Sequence, residues 1–350
     1  MIIIRMKERY AYIDICRGLC MLIVIYSHLL LFSLGYPHCS LLTDFLRGFF
    51  LNSFFFISGF ISYKERNWNI SNTKSFLVKK VKTLLVPSFI SLGFFCFIVN
   101  GNYINALIGS SKSGYWFTFV LFEMFFLYAS IFAVTNNIKS KKWKTIFLLI
   151  LAIMSYAFKK MLVEEELIFN ILSLDNLLYY FPLFLLGTIC RINIELFYEI
   201  IDRKFIKILL FIIVCLKLLC HCIPLIIYNV SITLFVFYMI KDIITTGTNS
   251  NTIYKYSTSV LQRIGQNTLP IYFLHYFILF KYPKSLCNYL QGLYSDTCFA
   301  GNSCAGFVEL IIIGMTSLLI AVTCIYMAKL LSYVPYLNTL MFGIEMKNKH

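Results

Sequence analysis

The chain has 350 residues, 59% of them apolar and 13% charged, with 35 Phe and 24 Tyr and a mean hydropathy of +0.78. A soluble domain carries about a quarter charged residues because water must wet its surface, so this composition excludes an ordinary soluble protein and points to a surface that faces lipid. The formal charge of +15 raises nucleic acid as a partner, but the placement of that charge along the chain assigns it to a membrane instead.

A helix needs roughly 20 apolar residues to cross a bilayer core of about 30 Å. Segments of this kind lie at about 18–35, 45–63, 83–99, 115–134, 145–158, 176–190, 205–220, 222–240, 265–282 and 307–330. The stretch 205–241 is too long for one span and reads as a hairpin turning near His221, Cys222 and Pro224. With the N-terminus inside, 24 of the 31 Lys and Arg fall in inside segments and 7 in outside ones. That bias follows the positive-inside rule, and a wrong span count would scramble it. The expected fold is therefore all-α: a polytopic membrane protein of about ten transmembrane helices with both termini cytoplasmic. Anionic lipid on the cytoplasmic face accounts for the basic segments without nucleic acid.

No Pro/Gly/Ser-rich linker divides the chain, so residues 1–350 read as one integral membrane domain. The basic N-terminus and first apolar segment lack a small-residue cleavage site and read as a retained signal anchor. The 12 Cys form no C-x-x-C pairs and fall mostly inside spans, where a thiol is a small apolar filler. In an oxidising compartment Cys298 and Cys304 are placed to pair across the Gly/Ser/Asn loop between them, or to stay free. No metal-ligand cluster, P-loop or G-x-G-x-x-G is present.

Ionisable groups inside spans are costly and are functional candidates by default. In the first helix Asp14, Arg17 and His28 share a stripe: at 100° per residue, Arg17 to His28 is 1100°, within about 20° of the same face. The two lie about 16 Å apart along the axis. Read alone, Asp14 and Arg17 are equally an interfacial ion pair, and His28 a histidine satisfied by a neighbouring helix. Glu123 is the one carboxylate well inside the first nine spans. His28, Glu123 and His275 fall at similar depth, at or slightly beyond the midplane, which suggests a shared polar cavity. Separate structural roles for Glu123 and His275 remain open at this stage. Pro270 is expected to bend the ninth helix just before His275. Lys79, Lys80 and Lys82 precede the third span, with Lys79 and Lys82 as i, i+3 neighbours on one face. They suit either lipid headgroups or a phosphorylated ligand.

These residues resemble the integral membrane acyltransferase-3 family over nearly the whole chain. Arg9, Asp14, Arg17-Gly18 and His28 are similar to its first-helix pattern. Phe54 to Phe60 resembles its F-F-x-I-S-G-F/Y segment, Tyr115-Trp116-Phe117 its W-F entry to a span, and Phe181 to Gly187 its F-x-x-G segment. Ile264-Gly265-Gln266-Asn267 through His275 is similar to its G-x-x-S/T-L-x-I-Y-L-x-H block. Lys79, Lys82 and Pro87 stand where the family has R-x-x-R before a proline; lysine keeps the charge and loses the bidentate fork.

The resemblance implies an O-acyltransferase of the inner membrane that moves acyl groups, usually acetyl, from acyl-CoA (acetyl-CoA) as donor substrate to hydroxyls of sugars or surface polysaccharides, with no permanently bound cofactor and no metal. Membrane lipids, acyl-CoA and a glycan acceptor are the implied partners. His28 is then general base or acyl carrier, with Glu123 and His275 orienting the acceptor or tuning His28. Asp14 and Arg17 hold the donor entry, and Lys79, Lys80 and Lys82 meet its phosphates. A proton-coupled transporter or flippase also uses intramembrane His and Glu. It is expected to show an inverted repeat, and the His28 helix has no counterpart five spans later.

Overall fold

The computed structural model describes residues 10–34, 41–161, 167–220, 222–246, 252–295 and 303–343. Among them every regular element is helical. Six helices are long and apolar enough to cross a membrane: Ala11–Leu34, Phe45–Ser62, Ile70–Ile98, Trp116–Asn137, Leu225–Thr245 and Val308–Leu331. A seventh arises if Leu174–Ile192 and Ile194–Asp202, bent by 101° at Asn193, form one broken span. The chain is thus a multi-pass membrane protein.

Helices also lie over the other expected segments, at Lys141–Met161, Lys204–Cys220 and Thr268–Ile278. The first carries lysines in both end turns, and the others have only 17 and 11 residues. Each is more charged or shorter than an apolar core of about 30 Å demands, so length and composition alone support six or seven spans. Lys204–Cys220 packs on Leu225–Thr246 as the two arms of the expected hairpin. The expected interruption before His275 falls at Asn267, between Thr252–Gln266 and Thr268–Ile278, and Pro270 sits in the first turn of the second helix. A missing N–H is harmless there because first-turn amides have no intrahelical partner. The expected pairing of Cys298 with Cys304 falls outside the described residues.

The chain divides into two compact units. The first comprises Met1–Phe54, Ile201–Ile271 and Ile278–Ile325. Its centre is Ala11–His28, in which Tyr12 to Cys16, Gly18, Cys20, Met21 and Ile23 to Tyr26 are all buried. This helix packs along Thr252–Gln266 through a pair of glycines. A Cβ at Gly18 would collide with the Leu261 carbonyl, and one at Gly265 with the Asp14 carbonyl. Such small-residue contacts let the two backbones approach closely and gain dispersion energy.

The second unit comprises Phe55–Ile200, Tyr272–Phe277 and Tyr326–His350. It repeats the device. A Cβ at Gly59 would meet the Phe184 carbonyl, and one at Gly187 the Phe56 carbonyl. The Thr188 hydroxyl donates to the Gly59 carbonyl at 3.3 Å. Phe55 and Trp116 both stack on Tyr180, at 4.7 and 5.9 Å between ring centres, beside this crossing. At the sharp bend Asn193 donates to the Thr145 hydroxyl at 2.8 Å and to the Ile189 carbonyl at 3.1 Å, which ties Leu174–Ile192 to Lys141–Met161.

The glycine crossings predict a contrast measurable by thermal unfolding in detergent. Gly187→Ala and Gly265→Ala each force a methyl into backbone and are expected to destabilise by about 1–3 kcal/mol. Gly314→Ala meets nothing within 4 Å and is expected to be neutral or stabilising by up to about 1 kcal/mol through helix propensity. Equal melting temperatures for Gly265→Ala and Gly314→Ala would remove the crossing from the account.

Candidate functional site

Asp14, Arg17 and His28 ride on one unbroken helix, Ala11–His28, of the first unit. Asp14 is 3% exposed although it is a carboxylate. The Gln266 side chain donates to its Oδ2 at 3.3 Å, and the Arg17 guanidinium donates to the Thr268 hydroxyl at 2.6 Å. The Gly18/Gly265 contact explains both bonds: with backbones touching there, flanking polar side chains are carried within reach of one another. A buried charge is tolerable only when paired or hydrogen-bonded.

His28 is half-buried and stacks on Phe32 at 5.7 Å between ring centres. At the next residue the helix changes character, with Leu29–Leu34 adopting the π form. Such segments shift the hydrogen-bond register from i−4 to i−5 and are frequent at functional sites. Two residues before His28, the Tyr26 hydroxyl donates to Glu309 Oε1 at 2.8 Å. Glu309 is 1% exposed. Sequence reasoning confined to the first nine spans missed it, although a carboxylate in the apolar run 307–313 carries the same signal as Glu123.

His275 and Glu123 belong to the second unit. His275 is wholly buried, and its Nδ1 lies 2.8 Å from the Tyr272 carbonyl. A carbonyl only accepts, so Nδ1 carries a proton and donates it to that oxygen. The Tyr276 ring packs at 4.2 Å on the imidazole. A short loop clamps this part of the helix. The Tyr272 hydroxyl donates to the Gly114 carbonyl at 3.0 Å, and the Tyr115 hydroxyl donates to the Phe273 carbonyl at 3.3 Å.

That loop is strained. Lys112, Ser113 and Gly114 have φ of 44°, 49° and 98°, and a left-handed conformation costs a non-glycine residue about 1–2 kcal/mol. The Lys112 ammonium holds it in place. It is 1% exposed and donates to the carbonyls of Ile171 at 2.8 Å, Leu107 at 3.1 Å and Asn170 at 3.3 Å. Burial lowers the Lys112 pKa from its ordinary value, and the Glu123 carboxylate opposes that shift. Glu123 Oε2 is buried and has no hydrogen-bond partner among the described residues. The sequence marks Lys112 only as one of a few outside charges. Its anchoring role needs contacts 58 and 59 residues away along the chain.

The basic stretch is split by the fold. Lys79 and Lys82 are exposed, whereas the Lys80 ammonium turns onto the Phe125 ring, 3.5 Å from its centre. Val81–Leu85 is a second π segment. It begins between Lys79 and Lys82, so regular α-helical i, i+3 spacing does not run through that pair.

A family model described as an acyltransferase domain matches residues 10–335. No curated protein and no solved structure matches the chain.

Lys112→Met tests the loop anchor. It leaves several part-buried carbonyls without their donor, at about 1–3 kcal/mol for each group left unsatisfied. The expected result is a loss of at least about 2 kcal/mol of stability in a detergent melt. An unchanged melt would show that the loop is held by the tyrosine bonds alone.

Proposed function

The chain belongs to the acyltransferase-3 family, whose model covers residues 10–335, and from that premise we propose that it is an O-acyltransferase of the inner membrane. It moves an acyl group, acetyl foremost, from cytoplasmic acyl-CoA to a hydroxyl of a sugar or surface polysaccharide. In this reading it is one integral membrane domain with ten spans and cytoplasmic termini. The bent pair and the helices Lys141–Met161, Lys204–Cys220 and Thr268–Ile278 complete the ten.

The observation that carries the reading is that the family match runs through the helix bearing Asp14, Arg17 and His28. His28 takes the proton of the acceptor hydroxyl as that oxygen attacks the thioester carbonyl. The carbon–sulfur bond breaks, and the departing CoA thiolate takes up a proton. Carriage of the acyl group on the ring before transfer is the other route open to the same imidazole. Asp14 and Arg17 hold the donor entry, Lys79 and Lys82 meet its phosphates, and Glu123 and His275 orient the acceptor or tune the base.

Reporter fusions after Lys142 are expected to read cytoplasm, and fusions after Ser110 or Ser295 to read outside. A cytoplasmic signal at Ser295 would sink the ten-span arrangement.

The chemistry is tested by CoA release from acetyl-CoA by the purified protein. General-base catalysis contributes typically 10²–10⁴-fold, so His28→Ala is expected to lose about that factor while still inserting and binding donor. His275→Ala is expected to lose less. Near-normal turnover by His28→Ala would refute its role, and a wild-type protein that releases no CoA with any glycan acceptor would refute the reaction.

A further inference from the structure

Five cationic side chains, Lys64, Arg66, Lys139, Lys141 and Lys144, line one cavity of about 320 Å³ in the second unit, with Glu65 the one carboxylate on its wall. Glu65 lies 4.0 Å from Lys141, so it offsets a single charge. The others repel one another, and a polyanion is the ligand that relieves this.

The cavity is built rather than accidental. It lies where the helix ending at Ser62, the turn Thr135–Asn137 and the helix starting at Lys141 come together. Asn136 pins the intervening loop twice: its amide donates to the Asn67 side-chain oxygen at 2.9 Å, and its own oxygen accepts from the Trp68 backbone N–H at 2.9 Å. Trp68 is buried, 5.5 Å from the Tyr128 ring and 5.8 Å from the Phe132 ring. The Arg66 guanidinium rests 4.9 Å from the Trp68 ring centre and 5.2 Å from that of Phe76. Its planar group is therefore oriented before any ligand arrives, and a guanidinium edge matches phosphate oxygens in pairs. The volume falls at the small end of ligand pockets, and six of the eleven lining residues are charged. Both favour a compact phosphate group over an acyl chain or a sugar.

We propose that this cavity binds a diphosphate or phosphomonoester group, separately from Lys79 and Lys82. Two sources present that chemistry: the nucleotide end of a soluble donor, which rests on the acyl-transfer reading above, and a phospholipid headgroup.

The test uses the full chain in phosphatidylcholine nanodiscs, titrated with inorganic pyrophosphate, and in parallel nanodiscs doped with phosphatidylglycerol in which retained anionic lipid is measured. Three proteins are compared: wild type, Arg66→Ala/Lys144→Ala, and Lys79→Ala/Lys82→Ala. Arg66→Lys serves as a charge-retaining control, and melts confirm folding. Saturable pyrophosphate binding that weakens with salt and falls at least about tenfold in Arg66→Ala/Lys144→Ala is the expected result. Pyrophosphate that fails to bind, with phosphatidylglycerol retention lost in the same variant, supports the site with lipid as its source. The proposal is overturned if neither probe senses Arg66→Ala/Lys144→Ala. It is overturned too if only Lys79→Ala/Lys82→Ala weakens pyrophosphate, a result that leaves the donor reading standing. Pyrophosphate binding at Arg66 in a protein that releases no CoA would keep the site and remove the reaction.

Discussion

Backbone contact at glycine decides which side chains meet in this protein. In the first unit Gly18 and Gly265 bring two helices so close that neither tolerates a Cβ. Close backbone approach maximises the packing contact between the two helices. The polar pairings follow from that approach. Asp14 meets Gln266, and Arg17 meets Thr268, because each residue stands within four positions of a glycine at the crossing. With bulkier residues at the crossing, a buried carboxylate and a guanidinium would face apolar surroundings, at a cost of several kcal/mol each.

All four crossing glycines lie in segments that the sequence singles out by resemblance: Arg17-Gly18, Ile57-Ser58-Gly59, Phe181 to Gly187 and Ile264-Gly265. Their presence was legible, and their purpose was not. A glycine in a helical pattern signals a turn, a bend or a packing contact with equal force, and only the partner backbone tells these apart. Helix existence was legible for a simpler reason: long apolar runs have one stable form in lipid. Helix limits were less so. Residues 11–17 continue the first helix below the apolar run, and residues 70–82 lead straight into the third, because polar residues extend a helix without adding to its hydropathy.

The two π segments carry no sequence signal that hydrophobic periodicity detects. Leu29–Leu34 and Val81–Leu85 differ from α-helix by one hydrogen-bond register over about a turn, and five or six apolar residues satisfy either pattern. Both segments begin beside candidate residues, after His28 and after Lys80. A shifted register re-aims every side chain beyond it, so facial arguments hold for Asp14, Arg17 and His28, which precede the change, and weaken for Lys82, which follows one.

Lysine appears here in three environments, and the contrast separates structural charge from charge available to a ligand. Lys112 is enclosed by backbone carbonyls, so its donors are occupied and no anion reaches it. Lys80 sits over the Phe125 ring, where the ring face stabilises the ammonium. Lys64, Lys139 and Lys141 stay exposed around a shared cavity, with Lys144 half-buried beside them. Net charge along the sequence treats all of these alike, because it counts protons and not partners. A phosphate competes poorly with carbonyls already in place and well with water, so ligand charge gathers where the fold leaves cations hydrated and holds them still. Arg66 meets that condition most fully: aromatic rings fix its plane while its residue remains exposed to solvent. Immobilising a flexible cation before binding removes an entropic cost that the ligand would otherwise bear, and that advantage depends on the Asn67–Asn136 latch rather than on the number of positive charges.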